Sequence, residues 1–235
     1  MMTQQNIQQD TWKQMAGVAA AQLIEDGMVI GLGSGSTAVQ LIYALAQRIQ
    51  EGLRIVGAVP TSKATEQLAY RLSIPLTTLN DYPELDIDID GADEIDGTLA
   101  LIKGGGGALL REKIVAASAR RFVIVADITK QVSILGMKMP LPVEIIPFAL
   151  SPVRKRLEAL GAFVALRHVG EAVFITDNSN FILDCTFPGG ISDPLALQAA
   201  MKNIVGVVET GLFLQMAEQA IIGGPDGVKI ITLQP

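Results

Sequence analysis

The sequence predicts an α/β protein: an open, Rossmann-like, mostly parallel sheet with helices on both faces, plus a smaller inserted α+β domain of ferredoxin-like type. Two observations predict it. The first half of the 235 residues alternates short β-rich runs with helical patterns, as parallel strands joined by crossover helices do. Past about Gln131 the texture changes, because Pro140, Pro142, Pro147 and Pro152 break that rhythm and a βαββα-like block follows. The expected domains are 1–132 with 208–235, the larger, and 133–207, the smaller.

Asp10 is the expected N-cap of a first helix running to about Glu25, with Trp12, Met15, Ala19 and Leu23 on its buried stripe. Strand 28–32, helix 37–50, strand 54–59, helix 62–72 and strand 76–79 follow. Segments 86–90 and 99–103 read as short strands of the same sheet, before helix 108–119 and strand 122–126. In the smaller domain, 143–146 reads as a strand, 152–160 as a helix and 163–167 as a strand. Segments 174–176 and 181–184 flank Asp177-Asn178-Ser179-Asn180, a hairpin signal because Asn and Asp tolerate turn dihedrals. Helix 195–202 follows, and 211–220 and 229–233 return to the first sheet.

Composition removes several classes of function. With 18 Lys and Arg against 24 Asp and Glu, the net charge is -6, so neither nucleic acid nor an anionic membrane finds a broadly basic face. Any phosphorylated ligand must be held by local donors. One cysteine, Cys185, and one histidine, His168, exclude a disulfide framework and a Cys/His zinc site within the chain. A Ser-His-Asp triad would have to use His168, which sits at a strand end and reads as a partly exposed structural residue. Residues 28–47 carry no charge over a length that could cross a bilayer, but Gly31, Gly33 and Gly35 interrupt them, so a strand, a turn and a helix explain them better. The opening MMTQQNIQQDTWKQ has no apolar signal core, and a lone thiol suits a reducing compartment. The expectation is a soluble, cytoplasmic protein with no membrane or nucleic-acid partner.

Three motifs could carry chemistry. Gly31-Leu32-Gly33-Ser34-Gly35-Ser36-Thr37-Ala38 joins a strand to a helix; its amides and the helix dipole favour an anion, and Ser34, Ser36 and Thr37 add hydroxyls. Gly33-x-Gly35-x-x-Ala38 formally fits a dinucleotide fingerprint, yet the next strand ends Ala58-Val59-Pro60 without the required acid. A Walker A loop lacks its Gly-Lys-Ser/Thr.

The second motif, Asp86 to Asp96, begins like a calcium loop but has Gly97 where the bidentate Glu belongs. Mutual repulsion among so many carboxylates at a strand end suits acid–base work; a solvated acidic turn is the plainer alternative. In the third, Lys103 precedes Gly104, Gly105, Gly106 and Gly107, a donor-rich cradle whose ordering costs too much entropy to be merely structural. Ala108 and Glu112 are four apart on the following helix, so Glu112 can look back over the loop.

Together, GLGSGSTA, DGADEID and KGGGGALLREK resemble ribose-5-phosphate isomerase of the A type. The likeness continues through ADITKQV, LPVEIIP, TDN and GPDGV, nearly the whole chain in order. The resemblance implies interconversion of D-ribose 5-phosphate and D-ribulose 5-phosphate without metal or organic cofactor, by a homodimer or dimer of dimers. Glu112 matches the family's base, Asp90 and Asp93 its active-site carboxylates, and Lys103 the lysine before the glycines. Substrate contacts are implied for Ser34, Gly35, Ser36, Thr37, Asp90, Gly91, Ala92, Asp93, Lys103, Gly104, Gly105 and Gly106. Lys130 looks like a phosphate contact, and Lys13 is expected to reach the same region. Ser34 stands where many relatives have Thr, and Gly107 where some have Ala.

These residues suit those roles. Glu112 would carry a proton from C2 to C1, Asp90 would assist ring opening, and Lys103 with the glycine amides would stabilise the enediolate oxygen. Asp93 would orient Lys103 or a hydroxyl. Two rivals remain: a noncatalytic sugar-phosphate sensor on the same scaffold, and a sugar-phosphate deaminating isomerase, which would rely on a histidine missing from this region.

Overall fold

The structure, a computed structural model, describes residues 4–232. In chain order they form α1 (Gln4–Ala21), β1 (Val29–Leu32), α2 (Ser36–Gln50), β2 (Gly57–Pro60), α3 (Lys63–Arg71), β3 (Ile87–Gly91), β4 (Glu94–Ile95) and β5 (Leu101–Ile102). Next come α4 (Leu109–Ser118), β6 (Phe122–Asp127), β7 (Leu141–Ile145), α5 (Leu150–Ala159), β8 (Phe163–Leu166), β9 (His168–Val169) and β10 (Ala172–Val173). The last are β11 (Phe181–Thr186), α6 (Pro194–Lys202), β12 (Val207–Thr210), β13 (Leu212–Phe213), β14 (Gln219–Gly224) and β15 (Gly227–Thr232). They divide into two units. The first takes the chain up to Ala92, 111–130 and from Met216 onward; the second takes 93–110 and 131–215.

In the first unit, a six-stranded sheet runs β15-β14-β6-β3-β1-β2, parallel except for β15. Every residue of β1 and β6 is buried, as expected for parallel strands covered on both faces. Ile30, Leu32, Ile87 and Ile89 pack in one core with Ala16 and Ala20 of α1 and Leu41 and Leu45 of α2. The alternate residue Val29 packs instead with Val115 of α4, which places that helix on the opposite face.

The second unit contains the β-α-β-β-α-β order β7, α5, β8, β11, α6, β12, folded as an antiparallel sheet β12-β7-β11-β8, a ferredoxin-like arrangement. Val143, Ile145, Leu183 and Cys185 meet Val153 and Leu157 of α5 and Met201 of α6 in its core. A separate three-stranded antiparallel sheet, β13-β5-β4, lies in the same unit.

Five sequence expectations need correction. Segment 211–220 does not return whole to the first sheet: 212–213 form β13 and pair with β5 in the second unit, and only from Gln219 does the chain join β6. Asp10 caps nothing: it lies inside α1, where it pairs with Lys13 at 3.3 Å, because the polar run before it is itself helical. Segment 76–79 is reduced to one parallel bridge, Ala58 to Leu76, beyond the edge strand β2. Segment 99–103 does not join the large sheet. Only Asp96-Gly97-Thr98 separate it from β4, far too few for a parallel crossover, and Asp96 Oδ1 accepts from the Thr98 and Ala100 amides to close an antiparallel hairpin. Segment 174–176 is likewise not a hairpin arm; Thr176 Oγ1 accepts from the Asn178 and Asn180 amides, and β11 pairs with β7 and β8 instead.

Candidate active site

Parallel strands bring their carboxyl ends to one edge of a sheet. In the first unit that edge receives the loop after β1, Asp90 and Gly91 at the end of β3, and the one-turn helix Ile128–Lys130 after β6. Glu112 joins them, because α4 leads into the start of β6 and so has its own start at the opposite edge. The connection from β1 leads to β2 on one side and that from its neighbour β3 leads toward β6 on the other, and open α/β sheets bind ligands where connections diverge in this way.

The glycines after β1 have two different uses. A Cβ on Gly31 would stand 2.4 Å from Asp88 Oδ1, and one on Gly33 would stand 2.2 Å from Asp90 Oδ1, so these two make room for carboxylates. Gly35 has φ +93 with open space around it, and it begins α2 with no side chain capping the first turn. Backbone amides at such a helix start favour an anion.

Asp90 is held in place by that loop. Its Oδ1 accepts from the Ser34 amide at 2.8 Å and the Gly91 amide at 2.6 Å. The Ser34 hydroxyl lies 2.8 Å from Thr61 Oγ1, 2.7 Å from Ser62 Oγ and 3.1 Å from Thr65 Oγ1, and Thr65 in turn donates to the Gly33 carbonyl. Ser34 therefore braces the loop through both its amide and its hydroxyl, while Ser36 is exposed and Thr37 buried. Asp88 and Asp90, both fully buried, face away from the core of Ile87 and Ile89, onto the side that α4 covers. Glu112, 5% exposed, is three residues before Val115 and shares its helix face.

Lys130 is half-buried in a turn that Asp127 pins by accepting from both the amide and the hydroxyl of Thr129. Lys13, also half-buried, follows Trp12, whose carbonyl abuts Gly223, the β14 residue in register with Asp127. Helix α1 thus brings Lys13 toward the strand ends that carry Lys130.

In the second unit, Lys103 follows β5 directly and is 2% exposed. Its amide donates to the Gly211 carbonyl at 2.9 Å, and its Nζ stands 5.4 Å from the centroid of the Phe213 ring. The glycine run is tightly fitted. Gly104 and Gly107 have φ +98 and +86, and the Gly107 amide donates back to the Gly104 carbonyl. Asp93 Oδ2 accepts from the Gly105 amide at 2.7 Å, and a Cβ on Gly107 would stand 2.3 Å from Phe174 Cζ. Arg167 Nη1 donates to the carbonyls of Gly104 and Gly105, while its Nε and Nη2 grip both oxygens of Asp184.

The acidic run thereby resolves into separate tasks. Asp86 accepts from the Val29 amide at the start of β1; Glu94 accepts from the amides of Gly136, Lys138 and Met139; Asp96 closes a hairpin. Asp88 and Asp90 remain beside Gly31 and Gly33 in the first unit, and Asp93 beside the glycine run of the second. Sequence reasoning passed over Asp88, although the D-x-D-x-D alternation places it on Asp90's face. It also passed over the hydroxyls of Thr61, Ser62 and Thr65. For Arg167 and Asp184 there was no local signal, since their partners lie up to 63 residues away.

An open α/β sheet with an anion-favouring helix start and buried carboxylates at a switch point is the arrangement of a small-ligand-binding α/β protein. A family model for ribose 5-phosphate isomerase A (phosphoriboisomerase A) matches residues 57–227. The ribose-5-phosphate isomerase A of Bacillus mycoides is 55% identical over 217 residues, which is 92% of this chain and 97% of the relative. Among solved structures, ribose 5-phosphate isomerase A from Methanocaldococcus jannaschii matches with TM-score 0.90 and 41% identity over 95% of this chain and 99% of its own. A D-ribose-5-phosphate isomerase in complex with phospho-erythronic acid matches with TM-score 0.92 and 40% identity, covering 96% of this chain and 99% of its own. The chain belongs to the ribose 5-phosphate isomerase A family. Among the described residues, no helix is long and apolar enough to cross a membrane.

Proposed function

We propose that this chain is an aldose–ketose isomerase that interconverts D-ribose 5-phosphate and D-ribulose 5-phosphate in the non-oxidative branch of the pentose phosphate pathway. The observation that carries this reading is Glu112, a carboxylate 5% exposed at the start of α4, on the sheet face that holds Asp88 and Asp90. Relatives with this name cover the chain almost end to end. One solved relative holds phospho-erythronic acid, a phosphorylated chain ending in a charged oxygen pair, much as an enediolate would.

Asp90, fixed by the amides of Ser34 and Gly91, passes a proton between the ring oxygen and the anomeric hydroxyl and opens the sugar. Glu112 then takes the proton from C2. Charge gathers on the C1 oxygen, where Lys103 and the glycine loop stabilise it, through those of its amides not already given to Asp93 and the Gly104 carbonyl. Glu112 returns its proton to C1 while a hydroxyl proton moves from the C2 oxygen to the C1 oxygen, so the reaction balances without an oxidant. Asp93 holds the glycine loop through Gly105. The phosphate is bound by the first-turn amides of α2 with Ser36 and Thr37, and by Lys130 with Lys13.

No metal or organic cofactor takes part in this reading, and activity is expected to survive exhaustive chelation. The active form is a homodimer or dimer of dimers, supported by apolar residues left outside on the second unit, such as Phe148 at 98% and Val205 at 87% exposure. The compartment is the cytoplasm, in keeping with a lone free thiol. A coupled assay with ribose 5-phosphate and, separately, glucosamine 6-phosphate tests the reaction. Turnover of the first alone is expected. Binding without turnover would make the chain a sensor, and turnover of the second alone a deaminating isomerase.

A further inference from the structure

We infer that Arg167 is a positioning residue for the reaction, setting the glycine loop and polarising the Gly106 amide that receives the enediolate charge; this rests on the isomerase reading above. Arg167 Nη1 donates to the Gly104 carbonyl at 2.8 Å and the Gly105 carbonyl at 3.1 Å. In a trans peptide the carbonyl and the next amide point in opposite directions. Holding those two carbonyls therefore turns the Gly105 and Gly106 N–H groups away from the guanidinium. The Gly105 N–H meets Asp93 Oδ2 at 2.7 Å. Gly106 is exposed, with no atom within 4 Å of where a Cβ would be, so the loop is open there and its N–H, turned from the guanidinium, has room for a ligand atom.

The guanidinium is itself immobilised. Its Nε and Nη2 form a two-pronged pair with Asp184, whose place in β11 is fixed by pairing with Ala165 of β8. Arg167 and Asp184 side chains are only 13% and 19% exposed, so water screens the pair little. Phe174 lies 5.8 Å from the guanidinium carbon and packs where a Cβ of Gly107 would be, which ties the far end of the loop to the same brace. A cation on the carbonyl side of a peptide draws electron density toward it and strengthens the N–H on the other side as a donor. Four glycines in a row would otherwise sample many conformations. The brace selects one and leaves the Gly106 amide on the side away from the guanidinium.

The test is steady-state kinetics of Arg167→Ala beside Glu112→Gln. Arg167→Ala is expected to lower kcat about tenfold to a hundredfold with KM within twofold, somewhat less than deletion of a whole oxyanion donor costs. Added guanidinium ion, against equal sodium, should restore part of that kcat, which a merely structural residue would not show. A kcat within twofold of the parent, or a fall in kcat matched by a rise in KM, overturns the inference. If Arg167→Ala does not fold, Asp184→Asn decides: one prong of the pair is weakened, and kcat should fall by about threefold or more at constant KM; an unchanged kcat overturns it. A dead Glu112→Gln beside a fully active Arg167→Ala defeats this role alone; an active Glu112→Gln removes only the assigned base, and a parent chain that does not turn over ribose 5-phosphate defeats the isomerase reading beneath it.

Discussion

Gly33 and Asp90 occupy complementary space: a Cβ on Gly33 would stand 2.2 Å from Asp90 Oδ1 and 2.4 Å from its Cα. The glycine is needed less for its own backbone than for the carboxylate on the neighbouring strand. Gly33→Ala must push β1 and β3 apart or expel the Asp90 side chain from the Ser34 and Gly91 amides. Overpacking of this kind costs about 1–3 kcal/mol, and the expected result is a lower urea midpoint together with a loss of kcat. Gly35→Ala, where φ is +93 and the space is open, should lose stability through backbone strain alone. Comparing urea midpoint and kcat for the two variants separates crowding from strain.

Glu112 is the only residue of the proposed chemistry assigned to carbon-bound protons. Glu112→Gln keeps its size and hydrogen-bonding capacity but cannot accept a proton. kcat should fall about a hundred- to ten-thousand-fold, the usual weight of one general base, while KM stays close to the parent value. Near-normal kcat would remove Glu112 from that role.

Lys130 sits in a turn fixed by Asp127, so the backbone that carries its side chain is held after β6. If it binds the phosphate, Lys130→Ala loses one charge-assisted hydrogen bond, worth about 1.5–3 kcal/mol, and KM should rise about tenfold or more with kcat little changed. Asp127→Asn is expected to shift KM in the same direction by less, since only the turn is loosened. Unchanged KM in Lys130→Ala would place the phosphate elsewhere.

Much of this was legible because it is local. Alternating isoleucines announced β3, strand–glycine–helix runs announced α2 and α4, and a change of texture announced the ferredoxin-like block. Failures came where distant partners decide the outcome. Residues 99–103 have a strand's composition, but a three-residue turn commits them to an antiparallel hairpin, which carries Lys103 and the glycine run into the second unit. The GLGSGS run suggested amides for a ligand; two of its glycines serve Asp88 and Asp90, from one strand more than fifty residues on. Nothing near Arg167 in sequence points to Gly104, because the pairing of β8 with β11 and the return of the loop are properties of the folded chain.

Cys185 gives a prediction about pH. It lies in β11 within the second unit's core, and burial, with a smaller push from the neighbouring Asp184 charge, raises its thiol to about 12. The folded protein therefore keeps this proton where the unfolded chain, with an ordinary thiol near 9.0, gives it up. Its contribution to stability is fully present below about 9 and is lost as pH rises from there toward 12. In Cys185→Ala that loss is absent, so the urea midpoint of the parent should decline more steeply above pH 9 than the variant's, after subtraction of their difference at neutral pH. The same burial makes the thiol inert: Ellman's reagent should find no reactive thiol in the native chain and one after unfolding. Rapid reaction of the native protein would show that β11 opens far more readily than its place in the core implies.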